Sequence, residues 1–147
     1  MFRIRLDRAL SVSKISTAFV ADHELIEALQ QRARPVGLGS NRVLFRQGDA
    51  PIGVFILTKG TATLTRRSEG EEVLTARVGA GSLLGVPAVI GAKPYSLTAE
   101  ATKGAELSFL TSEYFVHLMH TEPALCFRVL QVLAAEVRFA REAISHR

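Results

Sequence analysis

From Val36 to about Leu110, apolar and β-branched residues come in short runs, and glycine punctuates them. Val43-Leu44-Phe45 leads into Gly48-Asp49, and Val54-Phe55-Ile56-Leu57 leads into Gly60. Thr61 to Thr65 alternates and gives way to Ser68-Glu69-Gly70, while Val73 to Val78 runs into Gly79-Ala80-Gly81. Ser96 to Ala101 and Glu106 to Leu110 flank Lys103-Gly104. Short strands at intervals of roughly ten residues predict an all-β sandwich or barrel-like domain. No helical stretch of adequate length separates them, which argues against parallel βαβ units.

The flanks follow a different period. Leu25, Ile26 and Leu29 recur at three-to-four spacing behind Asp22, with Glu24 in the first turn, so a helix begins at Asp22 and ends before Pro35. After the strands, Thr111 or Ser112 caps a short helix carrying Tyr114, Phe115, Leu118 and Met119. A second helix starts at Pro123, where the missing N–H costs nothing, and runs to about Ser145 without internal glycine or proline. Cys126, Leu130, Leu133, Val137, Ala140 and Ile144 form a heptad seam on it, and Leu125, Val129, Val132 and Phe139 form a second apolar stripe. Two stripes call for two partners: the β-domain for one, and the same helix of a second copy for the other. Packing of both within one monomer is the alternative. At the N-terminus Phe2, Ile4 and Leu6 alternate with Arg3 and Arg5, as in a short strand or an arm. The expected organisation is an arm over 1–21, a β-domain over 22–121 and a dimerisation helix over 122–147.

Composition narrows the class. The 147 residues are 48% hydrophobic and 22% charged, which suits a globular chain. No apolar run reaches the ~18 residues of a membrane span, and no apolar stretch follows the basic N-terminus as in a secretory signal. Cys126 is the one cysteine, which excludes an internal disulfide and an iron–sulfur or zinc site built on cysteine clusters, so a cytoplasmic setting is expected. The net charge of +4 is spread over separated arginines with acidic residues interleaved, which reads as solvated surface rather than a nucleic-acid face. Glu113, His117 and His120 share a helix face but lack a fourth ligand, so a solvated face is expected and no metal. No nucleophile–base pair, phosphate loop or cooperating carboxylate pair is present, so the chain is not expected to be an enzyme.

The order of a helix, about eight strands, a short helix and a long helix resembles the cyclic-nucleotide-binding domain of the catabolite activator protein and fumarate–nitrate regulator (CRP/FNR-type) family, over residues 22–145. Leu44-Phe45-Arg46-Gln47-Gly48-Asp49 is similar to the family's Gln-Gly-Asp turn, and Val54 to Gly60 to its aromatic strand ending in a glycine turn. Gly79-Ala80-Gly81-Ser82-Leu83-Leu84-Gly85 is similar to the entry of its phosphate-binding cassette, and Phe115, Leu118 and Pro123 match the helices that follow. The resemblance implies a mainly β fold with flanking helices: a double-stranded β-helix (β-roll or jelly roll) plus a long C-terminal dimerisation helix. It also implies a site. Backbone N–H groups of a glycine-rich turn cradle a cyclic phosphate, an arginine neutralises it, a glutamate accepts from the ribose, and hydroxyls on the long helix reach the base.

The cassette departs from that pattern. The implied ligand-binding positions are Gly85, Val86, Pro87, Ala88, Tyr95, Ser96, Thr98 and Arg141. Val86 stands where the family has glutamate, Pro87 lacks a donor, and Tyr95 stands where it has arginine. The base-reaching positions fall at Ala140 and Arg141. Charge-assisted bonds of ~1.5–3 kcal/mol each are thereby lost. Lys93 offers at best a point charge in place of the arginine's fork. The expected function is a regulatory ligand-sensing domain that does not bind cyclic AMP in the family manner, with Val86→Glu plus Tyr95→Arg expected to restore binding. It has no fixed cofactor; a cyclic nucleotide or other small ligand is the candidate. The alternatives are the sensor part of a transcription regulator whose helix-turn-helix is absent from this chain, and an interaction scaffold with a vestigial pocket. The expected partner is a second copy through residues 123–145, with no sequence-specific DNA binding by this chain alone and no membrane.

Overall fold

Glycine turns divide the middle of the chain into strands that a computed structural model arranges as two facing sheets. The structure describes residues 15–16 and 19–145, with the backbone alone at 15, 139, 140 and 142–145. In order the elements are β1 (Ile15–Ser16), α1 (His23–Gln30), β2 (Arg34–Val36), β3 (Val43–Phe45), β4 (Gly53–Lys59), β5 (Thr61–Ser68), β6 (Glu71–Gly79), β7 (Leu83–Leu84), α2 (Val86–Gly91), β8 (Thr98–Ala101), β9 (Glu106–Thr111), α3 (Ser112–Thr121) and α4 (Pro123–Ser145). One sheet has the order β1-β6-β5-β8-β3, the other β2-β9-β4-β7. The pairing is antiparallel throughout except for β1 beside β6. This is the expected mainly β roll with flanking helices.

The unbroken apolar run of β4 has a direct structural reason. Strand side chains alternate between faces. Phe55 and Leu57 point into the roll with Phe45, Leu64, Val78 and Leu107, while Val54 and Ile56 point out under the helices with Leu25, Leu29, Leu83, Leu110 and Phe115. Both faces of β4 are therefore buried, and neither tolerates a polar residue. At its start, a Cβ on Gly53 would lie 2.2 Å from the Leu110 carbonyl oxygen and 2.5 Å from the Phe109 ring, so only glycine lets β9 approach there.

The helices cover the outer face of the four-stranded sheet. Asp22 caps α1 by accepting the Leu25 N–H at 2.8 Å, and Thr111 caps α3 by accepting the Tyr114 N–H at 3.2 Å. Leu125, Val129 and Val132 of α4, at four-and-three spacing, join the core beneath α1 and α3. Three ion pairs fasten the α1–α4 side: Arg128 to Asp22 at 2.9 Å and to Glu24 at 3.5 Å, and Arg32 to Glu122 at 2.8 Å.

The structure adds three features to the sequence expectation. Pro35 ends the region of α1, as expected, but then sits inside β2, at the edge of its sheet opposite Ser108, where a missing N–H is tolerated. Leu83–Leu84, within the stretch similar to the cassette entry, forms a short strand. The arm expected over 1–21 is docked at its end: Ile15 and Ser16 pair with Arg77 and Val78, and Phe19 is buried in the roll. The alternation at Phe2, Ile4 and Leu6 lies outside the described residues.

Candidate functional site

The site is built where the β6–β7 turn hands the chain to α2. The Gly81 N–H donates to the Leu57 carbonyl at 2.7 Å, the Ser82 hydroxyl to the Gly79 carbonyl at 2.6 Å, and the Leu83 N–H to the Phe19 carbonyl at 3.0 Å. At Gly85 the backbone is left-handed, with φ +97°, and a Cβ would lie 3.0 Å from both the Gly53 carbonyl oxygen and a Tyr95 ring carbon. Glycine is required there both by conformation and by space. The six-residue α2 follows, with Pro87 in its first turn and no side chain capping its N-terminus.

Tyr95 closes this turn from the opposite side. Its ring stacks on Phe45 with centroids 3.8 Å apart and planes 12° apart. Its hydroxyl donates to the Gly53 carbonyl at 2.8 Å and accepts from the Ile52 and Gly53 N–H groups at 3.0 and 3.2 Å. Its own backbone is pinned as well: the Tyr95 N–H donates to Asp49 and the Gly48 N–H donates to Tyr95, at 2.9 and 2.8 Å. Tyr95 is thus a buried wedge with its polar atom satisfied within the protein.

What remains is a recess of about 30 Å³, enough for one or two waters. Its walls are Phe19, Phe45, Leu64, Leu84, Gly85, Pro87, Ala88, Tyr95, Ser96 and Leu97, and α4 contributes Glu136. Glu136 is 9% exposed, and its Oε2 has no hydrogen-bond partner among the described residues. Burial among apolar walls disfavours the charged carboxylate and pushes its pKa up to about 8.

Of the positions expected from the sequence, Gly85, Pro87, Ala88, Tyr95 and Ser96 line the recess. Val86 is fully buried in the other core, with Leu25, Val54 and Phe115. A glutamate at 86 would enter that core and an arginine at 95 would break the wedge, so the restoring pair expected from the sequence is not supported by this geometry. Thr98 does not line the recess; its hydroxyl accepts the Gln47 N–H at 2.9 Å. Arg141 is exposed on α4 and does not line it either. Glu136 was missed by sequence reasoning. Its signal was present: it follows Leu125, Val129 and Val132 at the next four-residue step of the buried stripe.

The other face of α4 carries the opposite anomaly. Phe127, Leu130 and Val137 are 63%, 52% and 54% exposed. With Ala134, also exposed, they recur at three-and-four spacing. Of the seam expected from the sequence, Leu130 and Val137 lie on this open face, while Cys126 and Leu133 are partly buried against the helical core. The open stripe is therefore turned by one residue, from Cys126 and Leu133 towards Phe127 and Ala134.

Fold and site together define a β-roll module: a jelly roll with a glycine-shaped cassette over a pocket, and a long helix that lines the pocket with Glu136 and leaves Phe127, Leu130 and Val137 exposed on another face. Residues 36–122 match the profile of the cyclic nucleotide-binding domain, and the chain belongs to that family. Comparison with curated proteins finds no match. Among solved structures, the chain is similar to the Thermus thermophilus catabolite activator protein, with TM-score 0.71 and 23% identity over 88% of this chain and 62% of that one. It is similar to the N-terminal domain of a transcriptional regulator from Streptomyces coelicolor A3(2), with TM-score 0.61 and 25% identity over 83% and 85% of the two chains. It is also similar to the sensor domain of the transcriptional regulator DNR from Pseudomonas aeruginosa, with TM-score 0.62 and 19% identity over 82% and 87%. The chain thus spans less than two thirds of the Thermus protein. Among the described residues, no helix is long and apolar enough to cross a membrane.

Proposed function

We propose that this chain is a regulatory ligand-sensing domain whose cassette does not hold a cyclic nucleotide through the family's contacts. One observation carries the reading: the ionisable side chains that line the recess are Tyr95, whose hydroxyl is spent on Ile52 and Gly53, and the acid Glu136, so among the described residues no cation lines it. A phosphate anion brought there meets no cation, and desolvating it unpaired is costly. The surviving backbone and hydroxyl groups supply neutral hydrogen bonds of only ~0.5–1.5 kcal/mol each. Isothermal titration with cyclic AMP and cyclic GMP is the test, and the expected result is no saturation below high-micromolar ligand. Low-micromolar binding of either would overturn the reading.

The state of the pocket reaches the outside through α4, and a second copy covers the open stripe of that helix. The support is the three-and-four spacing of Phe127, Leu130, Ala134 and Val137, which is self-complementary about a two-fold axis. In a longer protein the module serves as the sensor of a transcription regulator, the reading favoured by the fold shared with the Thermus and Streptomyces proteins. By itself the chain is expected not to bind DNA sequence-specifically, and weak, salt-sensitive, sequence-blind binding is compatible with that. Sequence-selective submicromolar binding at physiological salt counts against that division of labour.

A further inference from the structure

We propose that the recess beneath α4 is a binding site for a compact organic cation, a primary ammonium or amidinium on an apolar body, with the Glu136 carboxylate as its counter-charge. The inference rests on the preceding reading, in which no cyclic nucleotide occupies the cassette. Buried side-chain oxygens in folded proteins are nearly always hydrogen-bonded, so an orphaned one asks for a missing donor. Glu136 Oε2 is such an atom, and it belongs to a side chain that lines a cavity rather than solid core. The donor does not come from the described chain: Lys93, Arg138 and Arg141 are exposed and none of them lines the recess. Tyr95, the other titratable side chain in the wall, already spends its hydroxyl on Ile52 and Gly53.

The chemistry of the walls then selects the ligand. Phe19, Phe45, Leu64, Leu84 and Leu97 offer hydrocarbon and reject a second charge. An anion finds no positive charge in the described walls and meets a buried acid that cannot pair with it as a counter-charge. A neutral alcohol donates one weaker bond, whereas an ammonium provides a charge-assisted one in a medium of low polarity. The room present, that of one or two waters, seats the ammonium group, and exposed Pro87 and Ser96 at the rim leave the body of the ligand a way out. Binding converts the protonated acid to carboxylate, and the displaced proton goes to solvent. The raised pKa of about 8 makes that release visible at neutral pH.

Benzylamine, benzyl alcohol and cyclic AMP, titrated calorimetrically into the full chain near neutral pH, test the assignment. Benzylamine should bind at least about tenfold more tightly than benzyl alcohol, the factor expected of one charge-assisted bond. Heats measured in buffers of different ionisation enthalpy should show proton release. Glu136→Gln, checked for folding by its thermal melt, should reduce benzylamine to the affinity of the alcohol and abolish the release. Equal affinity of amine and alcohol, an amine affinity unchanged in Glu136→Gln, or no benzylamine binding at millimolar concentration each overturns the cation site. Low-micromolar cyclic AMP binding instead overturns the parent reading, so the two failures are distinguishable.

Discussion

The two faces of α4 each break a rule of protein surfaces, in opposite directions. The inner face buries Leu125, Val129 and Val132 and then, one turn further on, a carboxylic acid. The outer face leaves Phe127, Leu130 and Val137 in solvent. Buried acids are normally paired, and regularly spaced exposed apolar residues normally mark an interface. On the proposed reading, a helix carrying both anomalies stands between two binding events, one at the pocket and one at a second subunit. That is the arrangement a sensor needs if ligand on one side is to bias assembly on the other.

The sharpest test of the comparison is to make the same change on each face. Leu125→Ala opens a cavity in the helical core and should cost about 2–5 kcal/mol of unfolding free energy. Leu130→Ala removes an exposed side chain and, at concentrations where the chain is monomeric, should cost less than ~0.5 kcal/mol. Urea denaturation of the two variants reads the difference. Equal losses would mean that Leu130 is buried in the monomer, and the distinction between the faces would disappear.

The acid on the inner face gives the next largest effect. Its folded pKa, about 8, lies above its ordinary value of 4.5 because burial disfavours the charge. The folded state therefore binds more protons than the unfolded state between these values, so stability falls as pH rises through that window and levels off above it. Between pH 5 and pH 9 the wild type should lose roughly 3–4 kcal/mol relative to Glu136→Gln, which keeps the shape but cannot ionise. Parallel pH profiles for the two proteins would show that the acid is solvated and would remove the inner anomaly.

Much of the module could be read from residue order, and what could not has physical reasons. The glycine-punctuated runs fixed the strands, the caps at Asp22 and Thr111 fixed two helix starts, and Pro123 marked the start of α4. Strand β2 was hidden because its proline reads as a stop, although an edge strand tolerates it. At the site, the family resemblance pointed to Gly85, Pro87, Ala88, Tyr95 and Ser96, which line one recess. It did not reveal that Val86 points into the other core or that Glu136 closes the pocket. Those facts depend on the rotation of α2 and α4 about their axes, which linear spacing fixes only to within a residue. The same uncertainty turned the outer stripe by one position.

The outer face is tested by charge. Leu130→Asp with Val137→Asp would place carboxylates in an apolar contact between copies. Both side chains are exposed in the monomer, so the variant should fold with an unchanged melt when dilute. Self-association measured by sedimentation should weaken by about 100-fold or more, equivalent to ~2.7 kcal/mol. A wild type that stays monomeric at high micromolar concentration, or a double variant that associates as before, removes the second copy from the outer face.

The smallest effect concerns a contact between α1 and α4, the helix that carries both faces. Asp22 serves two purposes: it caps α1 through the Leu25 N–H at 2.8 Å and pairs with Arg128 of α4 at 2.9 Å. Asparagine at this position keeps a capping oxygen and gives up the charge. Alanine gives up both. Loss of an N-cap costs about 0.5–2 kcal/mol, and a half-exposed ion pair contributes ~0–1 kcal/mol. Asp22→Ala should therefore lower stability by about 1–2 kcal/mol, and Asp22→Asn by less than about 1 kcal/mol, a loss that shrinks further in high salt. If Asp22→Asn proves as damaging as Asp22→Ala, the charge of Asp22 rather than its capping oxygen carries its contribution, and the pair with Arg128 matters more than the cap. Chemical denaturation at low and high salt measures which of the two governs.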